Sequence, residues 1–408
     1  MKAKAASFSM CLLAAPLKNA ALRQMAGALL REIPYLMREN GKDLDAAKNR
    51  SDPHALIDRL ILNEKRIREM AQCLADTAGL KDPVGEIIAT FKRPNGLLIT
   101  KVRTPIGVIG IIYESRPNVT SDCIGLCLKS GNAVILKGGK EAVHSNKAIF
   151  SVLKKVLGRT KIPLEAIQLV SSTEREAVTT LLRQDQYVDL IIPRGGEGLI
   201  RFVAEHSRIP VVKHSKGVCH TYVSDKADIE MARSICLNAK VQRPGVCNAM
   251  ETMLVHQNIA RRFLPAMIAD FQKAGVEIRG CPRTRQIIAG GIKKATVQDW
   301  KEEYLDLVLA VRVVDGLQQA IDHINTYGSR HSETIVTRNR KEAEQFFRSV
   351  DSACLYMNAS TRFTDGYQFG FGAEVGISTD KIHASGPMAL EELTTYKYVV
   401  YGEGQIRT

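Results

Sequence analysis

The sequence predicts an α/β protein built on two doubly wound parallel sheets with a small additional arm. From about residue 106 onward, short apolar segments alternate with segments of helical periodicity. A second alternating set begins near residue 222, with neither a low-complexity linker nor an internal repeat between the two sets. Because alternating strands and helices form right-handed crossovers, the strands of each set are expected to run parallel in one sheet.

The first 100 residues differ from this alternation. Up to about residue 80, apolar residues recur at helical spacing, which predicts helices. The segment "FKRPNGLLITKVRTPIGVIGIIYE" then changes to β-rich composition, with Pro94-Asn95-Gly96 as a turn between two extended segments. A hairpin around residues 91–104 is therefore expected.

The first alternating set can be divided into elements. A strand at 106–113 leads to a helix at 119–130, which Gly131 is expected to end. The strand "AVILKGG" precedes a helix from about Ser145 to Leu157, and "IQLVSS" forms the next strand. Thr173 and Glu176 have the spacing of a capping box for the helix "EREAVTTLLRQ". The strand "VDLIIP" then runs into "RGGEGLIRFVAEH", and the second set continues through "ETIVTRN", "KEAEQFFRSV" and "SACLYMNA".

Composition restricts the class of protein. The 408 residues carry a formal charge of +14, which suggests anionic ligands such as phosphorylated metabolites, nucleotides or nucleic acid. No nucleic-acid-reading motif occurs, and a generally basic surface is an equal explanation of the charge. No segment has the roughly 18 consecutive apolar residues of a membrane span.

The N-terminus and the cysteines indicate the compartment. The segment "FSMCLLAAP" after Lys2 and Lys4 imitates a short secretory signal, but the helical spacing continues beyond it, which favours a cytoplasmic protein. The nine cysteines contain no CxxC pair, so we expect no metal site and mostly buried thiols in a reducing compartment.

Two glycine pairs follow predicted strands, where doubly wound sheets bind ligands. Gly138-Gly139 and Gly195-Gly196 would let the backbone approach a ligand closely, and the second pair precedes a helix N-terminus suited to phosphate. Neither pair belongs to a G-x-G-x-x-G or Walker motif, and such pairs are more often plain turns. Lys137 and Lys140 beside the first pair favour a phosphorylated cofactor.

Cys247 stands apart from the other cysteines. It follows Pro244-Gly245 and would open a helix, whose dipole and amides would lower the thiol pKa and favour the nucleophilic thiolate. A buried structural thiol is an equal explanation. No histidine or carboxylate is near enough in sequence to be its dedicated base, which is acceptable if the cysteine attacks an activated acyl group with a good leaving group.

Several long segments carry a resemblance to a known family. They are "VQRPGVCNAMETMLVH", "SRPNV", "KSGNAVILKGGKEAVHSN", "DLIIPRGGEGLI" and the stretch from "NASTRFTDGYQFGFGAEVGISTDKIHASGP" to "TTYKY". Taken in their order along the chain, these segments resemble the gamma-glutamyl phosphate reductases, also called glutamate-5-semialdehyde dehydrogenases, a proline-biosynthesis branch of the aldehyde dehydrogenase superfamily. The likeness extends from "LKNAALRQMA" to the C-terminus.

The resemblance implies an activity and a catalytic pair. The activity is NADPH-dependent reduction of L-glutamyl 5-phosphate to L-glutamate 5-semialdehyde and phosphate. Cys247 matches the family's nucleophile, whose thiolate displaces phosphate to leave a thioester. Asn118 matches the superfamily asparagine that holds the oxyanion together with the nucleophile's backbone N–H. From its residue type alone, Asn118 would be taken as a turn residue.

The resemblance also implies a cofactor site for NADPH or NADP. Lys137 corresponds to the lysine near the adenosine ribose, and Gly138 and Lys140 lie beside it. Gly195 and Gly196 open the helix nearest the pyrophosphate. Glu303 in "EEYLDL" resembles the glutamate that binds the nicotinamide ribose, although such a residue is more often solvated.

An aldehyde dehydrogenase-like fold with three parts follows from the resemblance. The cofactor domain would span residues 1–222, and its hairpin at 91–104 would join an oligomerisation arm. The catalytic domain would span 223–365, and residues 366–408 would return to the cofactor domain and end in the oligomerisation strand "TTYKYVVYG". The implied partners are the small-molecule substrate and a second copy of the chain, with no nucleic acid or membrane. Association with the upstream glutamate 5-kinase is compatible with the resemblance, but the sequence does not decide it.

Two positions depart from related proteins. Hydrolytic aldehyde dehydrogenases carry a general-base glutamate where this chain reads "VVKHSKGVC", with Lys213 or His214 near that place. The loss suits a reductase, which must keep water off its thioester. Relatives commonly have arginine where this chain has Ser385, which leaves Arg116 and Arg362 as candidates for binding the substrate's carboxylate or phosphate. Surface arginines are the commoner explanation of each.

Two other functions are compatible with parts of the sequence. An acylating dehydrogenase that uses acyl-CoA shares the cysteine chemistry, so the substrate pocket must distinguish it. A basic nucleic-acid-binding protein with a vestigial dehydrogenase fold would explain the charge. The presence of both Cys247 and Asn118 argues against a vestigial site.

Overall fold

The computed structural model describes residues 1–213 and 216–407, except for the side chains of residues 54 and 55. The described chain divides into two compact units. The first comprises Met1–Lys213, Gly370–Gly376 and the segment that begins at Pro387. The second comprises the following residues up to Phe369, together with Ile377–Gly386.

Helices account for most of the first 80 residues and then alternate with strands, as predicted. Within the described residues the helices are α1 (Lys2–Met10), α2 (Ala15–Arg31), α3 (Ile33–Asn49), α4 (His54–Leu60), α5 (Glu64–Gly79), α6 (Asn118–Lys129), α7 (Val143–Leu157), α8 (Arg175–Leu182), α9 (Glu197–His206), α10 (Ile229–Val241), α11 (Gln257–Lys273), α12 (Pro282–Ile287), α13 (Leu317–Tyr327) and α14 (Arg340–Ser349). None of these helices is long and apolar enough to cross a membrane.

The strands form sheets in both units. Within the same described residues they are β1 (Ile87–Lys92), β2 (Leu98–Pro105), β3 (Val108–Tyr113), β4 (Ala133–Gly138), β5 (Ile167–Leu169), β6 (Leu190–Arg194), β7 (Cys219–Val223), β8 (Met250–His256), β9 (Glu277–Gly280), β10 (Lys293–Lys294), β11 (Val308–Val314), β12 (Ser332–Val336), β13 (Cys354–Met357), β14 (Gly376–Ser378), β15 (Gly386–Met388) and β16 (Thr394–Tyr401).

The first unit contains a four-stranded parallel sheet in the order β5-β4-β3-β6. Every residue of β3 is buried, which is typical of a parallel strand covered by helices on both faces. Val108, Ile112 and Ile191 pack with Leu182 and Val203 from α8 and α9. The carboxyl ends of β3, β4 and β6 therefore lie along one edge, where the loops before α6, α7 and α9 begin.

The end of α6 shows why Gly131 stops that helix. Gly131 has φ of +76°, a left-handed conformation that favours glycine. Its amide donates to the carbonyl of Leu128 at 3.2 Å, and the amide of Asn132 donates to the carbonyl of Cys127 at 2.8 Å. This pair of bonds is a Schellman motif, so the predicted helix end is confirmed.

The predicted hairpin is also present. β1 and β2 pair antiparallel around the turn Pro94-Asn95-Gly96, where Gly96 has φ of +90°. β16 pairs antiparallel along the whole of β2, from Thr394 opposite Pro105 to Tyr401 opposite Leu98. The hairpin and the C-terminal strand thus form one three-stranded sheet within the first unit.

The predicted capping box is wrong. α8 begins at Arg175 with Glu174 as its N-cap, and no side chain caps it. The Ser172 hydroxyl accepts the amide of Glu174 at 3.2 Å, and Glu174 itself is extended, so Thr173 precedes the cap position. With this hydrogen bond to Ser172, the helix begins one residue later than the capping-box pattern predicts.

The second unit contains a seven-stranded parallel sheet in the order β10-β9-β11-β8-β7-β12-β13. Met253, Val255 and Val311 on its central strands pack against Phe263 and Phe271 of α11. The strand order reverses at β7, which lies between β8 and β12, and the loop that precedes β8 contains Cys247. With two parallel α/β sheets, the predicted fold class is confirmed. The division into cofactor and catalytic domains remains a prediction.

Candidate active site

Cys247 lies in the loop of residues 242–249, between α10 and β8, and is partly exposed. The prediction that it opens a helix is wrong, because β8 follows it directly. No helix therefore begins at Cys247 whose dipole could activate the thiol. The loop is instead held by backbone contacts and by a network of polar side chains.

Gly217 makes the closest of the backbone contacts. A Cβ added at Gly217 would lie 2.0 Å from the carbonyl oxygen of Cys247 and 2.5 Å from its Cα. Since neither atom can move without moving the loop, only glycine fits there. The buried Cys219 thiol donates to the same carbonyl at 3.2 Å. The backbone of Cys247 is thus constrained from two sides while its side chain stays partly accessible.

Most of the other cysteines are buried and therefore unsuited to act as nucleophiles. Burial raises the pKa of five other thiols, which keeps them protonated; these are Cys73, Cys123, Cys127, Cys219 and Cys236. Cys281 and Cys354 are buried as well, and only Cys11 is fully exposed. Most of the thiols therefore act as small buried apolar groups, as expected.

Arg362 reaches the residue next to Cys247. Its guanidinium donates to Asn248 Oδ1, and its Nε donates to Gln242 Oε1 at 2.8 Å. Asn248 is itself fixed, because its Nδ2 donates to the carbonyl of Thr364 at 2.7 Å. Burial lowers the pKa of Arg362, and the positive charge of Arg243 lowers it further. An anion next to this pair of arginines would relieve their repulsion, which suits a carboxylate or phosphate site.

A buried ion pair closes the base of the Cys247 loop. Lys240 in the last turn of α10 and Glu251 at the start of β8 have side chains with no solvent exposure, and Lys240 Nζ lies 2.5 Å from Glu251 Oε2. Burial raises the pKa of Glu251 and lowers that of Lys240, because each charge is out of water. Their mutual attraction opposes both shifts. The two ends of the loop are thereby tied together.

The same glutamate holds the segment that contains Glu303. The amide of Leu305 donates to Glu251 Oε1 at 3.3 Å, and Leu305 has φ of +54°, a strained value for leucine. Next to it, the Tyr304 hydroxyl donates to Asp299 Oδ1 at 2.8 Å. Glu303 is partly buried, on a segment whose next two residues are both anchored. Its predicted role toward the nicotinamide ribose stays a prediction.

Asn118 is the first residue of α6, in the first unit, and is partly exposed. Its Nδ2 donates to Asp122 Oδ2 at 2.8 Å. Burial raises the pKa of the Asp122 carboxyl to about 6, against the opposing effects of Asn118 and Arg194. Arg116 is exposed two residues before Asn118. The sequence predicted Asn118 and Arg116 but not Asp122, although an i,i+4 spacing on a helix was a usable signal.

An open cleft in the first unit has Gly138 among its lining residues, and it is lined by none of the other predicted cofactor residues. Its lining comes from the ends of β4 and β5 and the start of α7, and consists of Gly138, Gly139, Val143, Asn146, Lys147, Leu169, Val170, Ser171, Ser172 and Thr173. A Cβ at Gly138 would lie 2.3 Å from Asn146 Nδ2. The cleft offers amide, hydroxyl and ammonium donors, so a phosphorylated nucleotide fits its chemistry.

The lysines are placed differently from one another. Lys137 is buried, and its Nζ donates to the carbonyl of Gly138 at 2.9 Å. Burial lowers its pKa. Lys140 is exposed and does not line the cleft, whereas Lys147 does. Lys147 lies on the second turn of α7, and sequence reasoning missed it because only the lysines beside the glycine pair were considered.

Gly196 is the N-cap of α9, and Gly195 precedes it. The amide of Gly196 donates to Glu114 Oε2 at 3.0 Å, and a Cβ at Gly195 would lie 2.3 Å from the same oxygen. A carboxylate oxygen thus binds the helix N-terminus, as expected for an anion-attracting end. A diphosphate at this place would compete with Glu114.

Two positions that depart from related proteins can be placed only in part. Lys213 is the last residue of the first described segment, and His214 lies outside the described residues. Ser385 is exposed, two residues after His383, which has φ of +76°. The consequence of Ser385 for substrate binding or oligomerisation stays a prediction.

Comparison with known proteins identifies the class. Residues 3–292 match the aldehyde dehydrogenase family, and the chain belongs to that family. Over 406 residues the chain is 56% identical to the gamma-glutamyl phosphate reductase of Nautilia profundicola, covering 100% of this chain and 98% of that protein.

Solved structures agree with this assignment. The crystal structure of gamma-glutamyl phosphate reductase from Thermotoga maritima is 47% identical, with a TM-score of 0.97, covering 100% of this chain and 98% of that one. An acetylating aldehyde dehydrogenase from Geobacillus thermoglucosidasius is 16% identical, with a TM-score of 0.70, covering 100% of this chain and 96% of the other. This second likeness shows the fold alone.

The buried ion pair leads to a stability prediction. Lys240→Met leaves the buried Glu251 carboxyl without its partner, so the carboxyl must either stay ionised out of water or take up a proton. The free energy of unfolding should therefore fall, by up to about 3–5 kcal/mol. Chemical denaturation monitored by circular dichroism measures the change. Adding Glu251→Gln, which keeps an oxygen for the Leu305 amide, should recover most of the loss. Arg68→Met is the matched control, since Arg68 and Glu64 form an exposed pair. Equal effects of Lys240→Met and Arg68→Met would contradict this account.

Proposed function

We propose that the chain catalyses the NADPH-dependent reduction of L-glutamyl 5-phosphate to L-glutamate 5-semialdehyde and phosphate, the second step of proline synthesis from glutamate. The placement of Cys247 carries the proposal. It is a partly exposed thiol on a constrained loop whose next residue, Asn248, binds Arg362. Full-length relatives named gamma-glutamyl phosphate reductase support the choice of substrate.

The chemistry begins at Cys247. Its thiolate attacks the acyl carbon of glutamyl phosphate, a carbon–sulfur bond forms, and the carbon–oxygen bond to phosphate breaks. The product is a thioester on Cys247 and free phosphate. When bound, the nicotinamide supplies the hydride that reduces this thioester. The resulting thiohemiacetal releases the aldehyde and returns the thiolate. Asn118 would hold the oxyanion that develops on the carbonyl oxygen.

Other residues of the chain hold the reactants. We propose that Arg362 binds the substrate's carboxylate or phosphate, because its guanidinium is partly buried beside Arg243. Arg116 is the second candidate for this role. The cofactor's adenosine end would lie in the cleft lined by Gly138 and Lys147, near Lys137. Gly195 and Gly196 would approach the diphosphate, and Glu303 the nicotinamide ribose.

We also propose a homo-oligomer that uses the arm. Tyr396, Tyr398 and Tyr401 of β16 expose large parts of their side chains, and β16 is an edge strand of the arm sheet. An exposed edge strand has unpaired backbone N–H and C=O groups, which can pair with a strand of another chain. We also propose a cytoplasmic location and an association with glutamate 5-kinase. Both proposals rest only on the place of the reaction in proline synthesis.

An assay run in the oxidative direction tests the reaction. Glutamate semialdehyde, NADP and phosphate should yield NADPH, and omitting phosphate should remove the signal. Replacing phosphate by coenzyme A should not restore it. A reaction that prefers coenzyme A would favour the acylating dehydrogenase instead.

Replacing the nucleophile is expected to abolish turnover. Cys247→Ser should leave less than about a tenth of kcat, equivalent to about 1.4 kcal/mol of barrier, because a serine hydroxyl is far less ionised. NADPH binding, measured by fluorescence titration, should be nearly unchanged. Cys11→Ser is the control, since Cys11 is exposed and should be dispensable. Substantial turnover by Cys247→Ser would show that another group is the nucleophile.

Water should be a poor acceptor of the acyl group. No glutamate stands at residues 211–219, where hydrolytic relatives place their general base, so the unmodified enzyme should oxidise the semialdehyde poorly without phosphate. The measurement is NADPH formation in phosphate-free buffer with chromatographic detection of glutamate. Fast phosphate-independent formation of glutamate would mean that a base elsewhere activates water.

Cofactor preference should depend on the lysines near the cleft. A 2′-phosphate carries nearly two negative charges. Contacts from Lys137 and Lys140 to this phosphate predict a preference for NADPH over NADH on the order of tenfold. Lys140→Ala should reduce the ratio of kcat/KM values for the two cofactors without slowing the chemical step. Lys147→Ala tests the lysine that lines the cleft, and the exposed Lys155→Ala is the control. A ratio unchanged by Lys140→Ala would place the discrimination elsewhere, with Lys147 as the next candidate.

A further inference from the structure

We propose that Asp122 is a positioning residue for the reaction: it fixes the Asn118 side-chain amide so that one N–H is held and the other is offered to the substrate oxygen. The inference rests on the proposed function, in which Asn118 stabilises the oxyanion. It adds a residue that the resemblance did not assign.

The geometry on α6 supports this role. Asn118 and Asp122 are four residues apart, so their side chains lie on one face, and Asn118 Nδ2 donates to Asp122 Oδ2 at 2.8 Å. The Ser121 hydroxyl lies 3.2 Å from Asp122 Oδ1 and donates to the carbonyl of Asn118 at 2.8 Å. These contacts hold the first turn of the helix and the Asn118 side chain together.

An ionised carboxylate decides which way the Asn118 amide faces. A carboxylate only accepts hydrogen bonds, so Asp122 can bind the NH₂ group of Asn118 and repels its oxygen. The bond is charge-assisted and therefore stronger than one between neutral groups. An amide without such a partner could turn its oxygen toward the substrate, where it would repel a developing oxyanion.

The surroundings of Asp122 determine when it is ionised. Burial raises its pKa to about 6. The groups that act on it from neighbouring elements are the Cys73 thiol of α5 and Arg194 at the end of β6. Burial raises the pKa of Cys73 and of the adjacent Cys123, so both stay neutral below pH 8. In this cluster, Asp122 is the group whose charge changes near pH 6.

The sign of the pH effect follows. Above pH 6 Asp122 is charged and orients Asn118, whereas below pH 6 it becomes protonated and its hold on the amide weakens. The kcat of the parent enzyme should therefore fall as the pH is lowered through about 6. Ionisation of substrate and phosphate also changes in this range, but it is common to all variants. Only the difference between the profiles of parent and variant is informative.

The decisive variant is Asp122→Asn, which keeps the size of the side chain and removes its charge. In the phosphate-dependent assay kcat should fall at least tenfold, with the dissociation constant for NADPH unchanged in fluorescence titration. The rate of Cys247 alkylation by iodoacetamide should also be unchanged. The fall in kcat near pH 6 that the parent shows should be absent from the pH profile of Asp122→Asn. Asp185→Asn removes one exposed carboxylate and should match the parent.

A double variant separates positioning from a general structural role. Asn118→Ala with Asp122→Asn should be no slower than Asn118→Ala alone, because Asp122 acts through Asn118. The parent and Asn118→Ala suffice if Asp122→Asn fails to fold, since Asn118→Ala should also lack the fall in kcat near pH 6. Additive losses, a retained fall near pH 6 in Asn118→Ala, or an Asp122→Asn kcat within twofold of the parent would overturn the inference. A parent without phosphate-dependent turnover would instead overturn the proposed function, and this inference with it.

Discussion

The ion pair between Lys240 and Glu251 is the interaction on which the candidate catalytic loop depends. Its two side chains come from the elements on either side of that loop, and neither is exposed to solvent. Two buried charges are stable only next to each other, so the end of α10 and the start of β8 cannot separate without a large cost. The ion pair therefore holds the two ends of the Cys247 loop together and fixes them to the parallel sheet of the second unit.

The pair also connects the Cys247 loop to the segment that contains Glu303. Glu251 accepts the amide of Leu305, whose left-handed backbone needs such a bond to persist. The carbonyl of Leu305 in turn lies 3.7 Å from the position a Cβ at Gly245 would take. One carboxylate thus helps to place both the candidate nucleophile and the segment that contains Glu303. Preorganisation of this kind lets a loop carry chemistry without a large rearrangement.

Much of the architecture was predictable because its causes are local. Continuous apolar segments such as β3, separated by amphipathic helical segments, are typical of parallel sheets with helices on both faces. Gly131 ended its helix as predicted, since a left-handed residue after a helix is set by residue type. The capping box at Thr173 failed for an equally local reason. The Ser172 hydroxyl accepts the amide of Glu174, and Glu174 becomes the N-cap in place of Thr173. Spacing alone does not tell which of two overlapping polar motifs will form.

The sequence by itself determined the fold class, the family and the identity of Cys247 and Asn118 as candidates, because these follow from residue periodicity and long motifs. Only the tertiary structure decided how those residues are supported. Gly217 packs on the backbone of Cys247, Lys240 pairs with Glu251, and Lys147 rather than Lys140 lines the cleft beside Gly138. Each of these depends on which side chains are buried together or face one cleft. Burial changes the electrostatic free energy of a charged group in a way that sequence spacing does not record.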